Sequence, residues 1–540
     1  MNKILLTIIV VGCLISTTLG AVSAYSYSHD SFSRHEFDLN PAPTENGDLL
    51  NPIYLKKWSS DEFDYSDGYK SIVLNSYIYV LVYLYDVVDY IVTNQHTGLL
   101  KLKMSNGNFE DIIVFEGLRS PSDVITYQNH IYVIMYNKIY TGLPEIVKLD
   151  EDLNIIDNQF LNIVGRYREP RCVKTDGDYI YVAGSTRISG DPQENIFLGK
   201  LDSDCNLVWD DFVYYDIGID YIGYNAITID DDGFIYLTGS SRINDDLGAI
   251  FILKYDSNGN LIKEKKEYNS YMTFDTIKFY DNKLFVSKTV YQGTGFNLDM
   301  RLSTYDKELN LLWDSEIIDE SIFLECMDDM VFVDNFVYLC GVLLDADLEH
   351  GILLSMNGYI LKFNLTSNEK EWCRKVPSYS DSWSIHKDEE KNLYLSGIIF
   401  EDEDSSNTYV LKFDTQNDPP ATPEIKGAPK GSPGKENTYT ISTTDPEGNQ
   451  VYYFVSWGDK TYENWIGPYE SGEEVVIRHT YENKGFYTIG VIAKDIHDAL
   501  SFEGKMKVNI PRSRTKSTPI LDFLQENSLL LQLLQRIFIR

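Results

Sequence analysis

The stretch Asp232-Gly233-Phe234-Ile235-Tyr236-Leu237-Thr238-Gly239 decides the fold, because it recurs. It holds a tight turn, an apolar residue followed by an aromatic, and a glycine three residues beyond the aromatic. The apolar–aromatic pair returns as Ile78-Tyr79, Ile131-Tyr132, Ile180-Tyr181, Leu284-Phe285, Val337-Tyr338 and Leu393-Tyr394, and successive aromatics lie 53, 49, 55, 49, 53 and 56 residues apart. Gly184, Gly239, Gly341 and Gly397 supply the trailing glycine. A glycine inside a strand implies a bend or a close backbone approach there.

A second anchor follows each first one: Lys103-Met104-Ser105, Lys148-Leu149-Asp150, Lys200-Leu201-Asp202, Lys254-Tyr255-Asp256, Thr304-Tyr305-Asp306, Lys362-Phe363-Asn364 and Lys412-Phe413-Asp414. A polar turn and another apolar run come next, as in Asn206-Leu207-Val208-Trp209 and Asn310-Leu311-Leu312-Trp313. Each unit therefore offers four strands. In the fourth repeat these are expected at Ala226 to Ile229, Phe234 to Gly239, Ile250 to Tyr255 and Leu261 to Lys265, with hairpin turns at Asp231-Asp232-Gly233 and Ser257-Asn258-Gly259. Four strands about every 50 residues, seven times, is the arithmetic of a seven-bladed β-propeller over residues 50–415. The last repeat lacks a fourth strand, while Ile53 to Trp58 stands unassigned before the first. The N-terminal segment is expected to complete the last blade and cover its free edge. The repeats resemble the bacterial and archaeal beta-propeller repeat families, which implies a fold and an extracellular setting but no single activity.

Asp418-Pro419-Pro420-Ala421-Thr422-Pro423 breaks the pattern and, with Gly427 to Gly434, reads as a linker over 416–434. Beyond it, residues 424–511 alternate in short strands at a length that suits a β-sandwich: Tyr439 to Ser442, Val451 to Trp457, Glu474 to His479, Tyr487 to Lys494 and Lys505 to Ile510. Trp457-Gly458-Asp459, His479-Thr480-Tyr481, Lys484-Gly485-Phe486-Tyr487 and Ala493-Lys494-Asp495 resemble the PKD family of immunoglobulin-like modules. That resemblance implies a spacer or binding module, with His479 structural. Lys460 stands where the family usually has a second glycine. Residues 515–540, with Pro519 near the start of a leucine-rich run, are expected to form a short amphipathic helix. Such a helix suits a membrane surface, an envelope partner or its own domain.

At the other end, Lys3, the apolar run Ile4 to Ile15 and the small residues Val22, Ser23 and Ala24 read as a signal peptide over 1–24. A net charge of −35 argues against nucleic acid as a partner. Cys172, Cys205, Cys326, Cys340 and Cys373 show no C-x-x-C spacing, so buried free thiols are expected, although export would permit a disulfide. Asn364-Leu365-Thr366 matches the N-glycosylation sequon, by use or by chance.

Catalytic signatures are missing: no H-E-x-x-H, no G-x-S-x-G, no phosphate loop, no dinucleotide fingerprint. No catalytic, cofactor-binding or metal-ligating residue is assigned. Calcium is the one cofactor weighed, because Asp202-x-Asp204-x-Asn206 and Asp256-x-Asn258-x-Asn260 space oxygen ligands as an EF-type loop begins. Both segments sit where the repeat demands a hairpin, and the turn reading is favoured. The expectation is a non-enzymatic secreted or cell-surface binding and adhesion protein whose partner is a glycan or surface protein. The alternatives are a polysaccharide hydrolase or lyase with acids at the propeller mouth, and a structural envelope component.

Overall fold

Short polar turns separate apolar runs of strand length throughout, and the chain folds accordingly as all-β. The computed structural model describes residues 54–511 apart from 61–62, 89–90, 116, 138–142, 164–165, 188–193, 214–220, 245–246, 270–271, 292–297, 317–323, 348–351, 377–378, 403–404, 416, 498–500 and 502. The expected signal peptide (1–24) and C-terminal helix (515–540) lie outside the described residues. Among the described residues there is no helix, hence none long and apolar enough to cross a membrane. They divide into two compact units, the second beginning at Asn417.

In the first unit, four-stranded antiparallel sheets recur. One holds Arg119–Tyr127, His130–Asn137, Pro144–Leu149 and Ile155–Phe160; the next holds Arg166–Thr175, Ile180–Arg187, Glu194–Leu201 and Leu207–Val213; a third holds Tyr221–Ile229, Ile235–Asn244, Leu247–Tyr255 and Leu261–Asn269. Two eight-stranded sheets are each a pair of such sets joined by one parallel pairing, Leu298↔Leu324 in one and Tyr65↔Ser406 in the other. The first joins Met272–Tyr280, Lys283–Tyr291, Leu298–Tyr305 and Leu311–Glu316 to Leu324–Val333, Phe336–Asp347, Ile352–Asn364 and Glu369–Lys375. The second joins Tyr65–Leu74, Tyr77–Val88, Ile91–Lys103 and Phe109–Phe115 to Ser380–Lys387, Leu393–Asp402 and Ser405–Phe413. Tyr54–Trp58 pairs with Ser405–Phe413, from Tyr54↔Lys412 to Trp58↔Thr408, and completes that last set. The first strand of every set lies beside the first strand of the next, and Ser380–Lys387 lies beside Tyr65–Leu74. Repeated four-stranded sheets with this neighbour order are compatible with a propeller.

The recurring residues tie each set to the next. Tyr132 Oη and Lys148 Nζ both donate to the Ser203 carbonyl at 3.0 Å. Tyr236 Oη and Lys254 Nζ likewise share the Lys307 carbonyl, at 3.2 and 2.8 Å. Tyr132 and Tyr236 are therefore core residues whose hydroxyls are satisfied by a turn of the neighbouring set. In those turns Asp150, Asp202, Asp256 and Asp306 each accept the amide N–H of residues i+2 and i+4 on Oδ1 and the Asn side-chain amide on Oδ2.

Every first strand also carries a register shift at an equivalent place: between Gly68 and Lys70, Pro121 and Asp123, Pro170 and Cys172, Gly223 and Asn225, Phe274 and Thr276, Met327 and Asp329, and Ser382 and Ser384. The extra residue pushes a carbonyl toward the adjacent strand, which explains two of the trailing glycines. A Cβ on Gly184 would sit 2.0 Å from the Glu169 carbonyl oxygen, and one on Gly397 2.0 Å from that of Asp381.

The second unit packs Glu424–Gly427, Glu436–Ser442 and Val475–Thr480 in one sheet, and Tyr462–Tyr469, Val451–Ser456, Gly485–Asp495 and Gly504–Ile510 in another. Tyr453, Trp457, Ile477, Val491 and Val508 are among its core residues. Five strands fall at the expected places. Glu424–Gly427 hides in the Pro/Gly-rich stretch, where pairing with Glu436–Ser442 overrides composition, and Tyr462–Tyr469 was masked by Gly467 and Pro468. Lys460 adopts the left-handed backbone (φ 75°), the conformation glycine takes without strain. The ring of His479 stacks on Trp457 at 4.5 Å, meets the edge of Tyr481 and places Nε2 2.7 Å from Asp459 Oδ2.

Candidate functional site

Among the described residues of the first unit, the bulges line a cleft. Near the starts of three first strands, Asp67 and Tyr69, Ser120 to Ser122, and Glu169 to Arg171 line it, joined by Trp383 from a fourth and by Tyr83 and Tyr136 from second strands. Four of its lining residues, Tyr69, Ser122, Arg171 and Trp383, are the extra residues of their bulges. A bulge interrupts the alternation of side chains between the two faces of the sheet and re-aims the extra one. Tyr69 meets Trp383 edge-on, ring centroids 5.7 Å apart. Arg171 Nη2 donates to Glu169 Oε2 at 2.7 Å, so the cleft's guanidinium is neutralised locally.

Two buried carboxyls stand at this seam. Asp67 accepts from Ser406 Oγ at 2.5 Å and Tyr85 Oη at 3.0 Å, yet burial pushes it up to about 6 against those hydrogen bonds. Burial pushes Asp381 up to about 7, with the Trp383 indole and the Ser382 amide acting against it and Asp67 adding to it. Asp381 Oδ1 and Trp383 Nε1 are neighbours electrostatically, but neither meets hydrogen-bond geometry with any partner.

Further along the first strands the charges balance one another. Lys278 Nζ lies 2.9 Å from Asp329 Oδ1, and Lys70 Nζ donates to the Trp383 carbonyl at 3.3 Å. Burial opposes it, but Lys278 and Lys70 hold the Asp329 carboxyl well below its ordinary value. Burial drives His386 down to about 4, so it is neutral despite facing Asp329, and drives Lys174 down to about 8 with help from Lys278. Side chains also latch neighbouring strands: Asp123 Oδ2 accepts the Val173 N–H at 2.9 Å, and Ser384 Oγ accepts the Ser71 N–H at 3.2 Å. These groups are spent on holding the sets together.

Both segments weighed for calcium form hairpin turns. The Asp202 and Asp256 carboxylates are each engaged by two backbone amides and one Asn side chain of their own hairpin, which accounts for the residue spacing without an ion. Asp230, Asp231 and Asp232 lie close enough to share a cation, a grouping the sequence reading passed over as a turn. Lys307 Nζ occupies that position, 2.6 Å from both Asp231 Oδ1 and Asp232 Oδ2. Cys172, Cys205, Cys340 and Cys373 are free thiols. Nothing in the repeat pattern announced the cleft, because all of its residues but Tyr83 and Tyr136 belong to the least regular strand of each repeat; the Gly three residues past the aromatic was the one indirect signal.

No protein-family model and no curated protein sequence matches this chain. Among solved structures, the PKD domain of an M14-like peptidase from the Thermoplasmatales archaeon SCGC AB-540-F20 is 45% identical over 18% of this chain and 98% of its own length, with a TM-score of 0.17. An acylaminoacyl peptidase of Pyrococcus horikoshii is 10% identical over 72% of this chain, which spans 59% of it, with a TM-score of 0.41. The WD40 domain of SCAP from fission yeast is 7% identical over 67% of this chain and 97% of its own length, with a TM-score of 0.32.

Proposed function

We propose that this chain is a secreted or surface-retained, non-enzymatic binding and adhesion protein, built as a seven-bladed β-propeller with a PKD-like module as spacer, and that its ligand is a glycan or a glycan-bearing surface protein. The cleft carries this reading. Three tyrosines and a tryptophan from three neighbouring sets line it: Tyr83 and Trp383, each 5% exposed, form an apolar floor, and the half-buried Tyr69 and Tyr136 present ring surface and hydroxyls of the kind that pack on a sugar. The Arg171–Glu169 pair leaves no uncompensated cation to favour a phosphate. The test is retention of the full chain on a panel of polysaccharides and envelope fractions, with released fragments assayed alongside. Tyr69→Ala and Trp383→Ala should each weaken retention at least about tenfold, the loss of roughly 1.4 kcal/mol or more of contact. Unchanged retention in both overturns the assignment of the cleft.

A second reading, a polysaccharide hydrolase or lyase, is favoured by one observation. Asp67, held at about 6, and Glu169 both line the cleft, and glycoside cleavage needs one protonated and one ionised carboxyl. Released fragments that disappear in Asp67→Asn would establish that reading in place of the first.

A further inference from the structure

In the repeats, the residue that closes the second anchor is an aspartate at 150, 202, 256, 306 and 414 and a serine at 105, but an asparagine at 364. The aspartates at 150, 202, 256 and 306 cap the hairpin that follows, with carboxylate oxygens taking its backbone amides. Asn364 caps a different hairpin with its Oδ1 alone, accepting the N–H of the residues two and three further on, Thr366 at 2.9 Å and Ser367 at 3.2 Å. What asparagine adds is the amide nitrogen, which is exposed and donates one hydrogen to Glu371 Oε1 at 2.9 Å. The second hydrogen is left over by these contacts. Thr366 lies in the exposed part of the turn, its hydroxyl held by the Asn335 side-chain amide. The turn joins the third strand of its set to the fourth, and Asn364 pairs with Phe336 at the start of the second strand. Tyr83 and Tyr136, which line the cleft, lie toward the far ends of their second strands. The asparagine and the cleft are therefore at opposite ends of the strands.

We propose that Asn364 is an N-glycosylation site, carrying its glycan at the end of the first unit opposite the cleft; the inference rests on the export assumed in the proposed function. The donor would be a polyisoprenyl-phosphate- or pyrophosphate-linked oligosaccharide. Asn364 Nδ2 forms a bond to the anomeric carbon and gives up one proton. The sugar–phosphate C–O bond breaks, and the lipid phosphate leaves with the electron pair. Oδ1 keeps its two capping contacts and Nδ2 keeps one hydrogen for Glu371, so the turn need not rearrange.

The full chain is expressed in a host with an oligosaccharyltransferase, once with its own N-terminal segment and once with residues 1–24 replaced by a signal sequence of proven export. The tryptic peptide Phe363 to Lys370 is then weighed. Expected is a glycan mass on Asn364, absent in Asn364→Asp and Thr366→Ala and retained in Thr366→Ser. Thr366→Ser should keep the thermal midpoint, because a serine hydroxyl takes the same contact with the Asn335 amide. An exported, folded chain with bare Asn364 overturns the inference. Failure of export with its own segment, but glycosylation with the replacement, overturns the export reading and leaves this one standing.

Discussion

Asp381→Asn isolates the cost of the buried carboxyl at the seam between Ser380–Lys387 and Tyr65–Leu74. The Asp381 side chain is shut away from solvent, with the residue 1% exposed, and one of its oxygens has no hydrogen-bond partner. Unfolded, the group ionises near 3.8; folded, near about 7. Well below pH 3.8 it is protonated in both states. As pH rises toward 7 the folded chain holds a proton the unfolded chain has lost, so stability falls, and above the folded value the whole difference is lost. At about 1.4 kcal/mol per pH unit, a rise of roughly three units corresponds to about 4 kcal/mol as an upper figure, part of which belongs to the interaction with Asp67. Asparagine has nearly the same shape and cannot ionise. Calorimetry of the full chain should therefore place the first unit's midpoint higher in the variant at pH 8, by about 2–6 °C for roughly 2–4 kcal/mol, and nearly unchanged at pH 4. An equal shift at both pH values, or a loss of stability at pH 8, would refute the buried-carboxyl argument.

Gly184→Ala and Gly397→Ala should each cost roughly 2–3 kcal/mol or more in denaturant unfolding, because the new Cβ would meet a backbone oxygen at 2.0 Å; a neutral result would mean that the bulge relaxes. Asp329→Ala should cost about 3 kcal/mol by leaving Lys278 facing the interior without its partner, read from the same curves. Asp202→Ala should lower stability by about 1 kcal/mol through lost turn contacts, while millimolar calcium leaves the wild-type midpoint in place; a calcium-dependent rise would reinstate a metal loop. His479→Ala should lower only the second unit's transition, by about 1–2 kcal/mol, without altering retention on polysaccharide.

Much of the fold was legible because the repeat repeats its chemistry. Tyr132 and Lys148 are found together in sequence since both hydroxyl and ammonium must reach one carbonyl, that of Ser203, in the next set. Asp202 and Asn206 keep their spacing since one carboxylate serves the whole hairpin. The cleft was not legible, because Tyr69, Ser122, Arg171 and Trp383 share no residue type and no anchor motif. They share only a place in a bulge, and a bulge is set by pairing with the adjacent strand.

Sequence alone determined the all-β class, the repeat and most strand positions, since these depend on interactions that recur at short range: alternation of apolar residues, turn capping and the volume of a buried tyrosine. The N-terminal strand that completes the last set was expected from sequence, but tertiary structure alone decided its register, with Tyr54 opposite Lys412, and where the extra residue of each first strand is aimed. It also decided how high Asp67 and Asp381 are held, because desolvation is a property of everything packed around a group and of no single residue type.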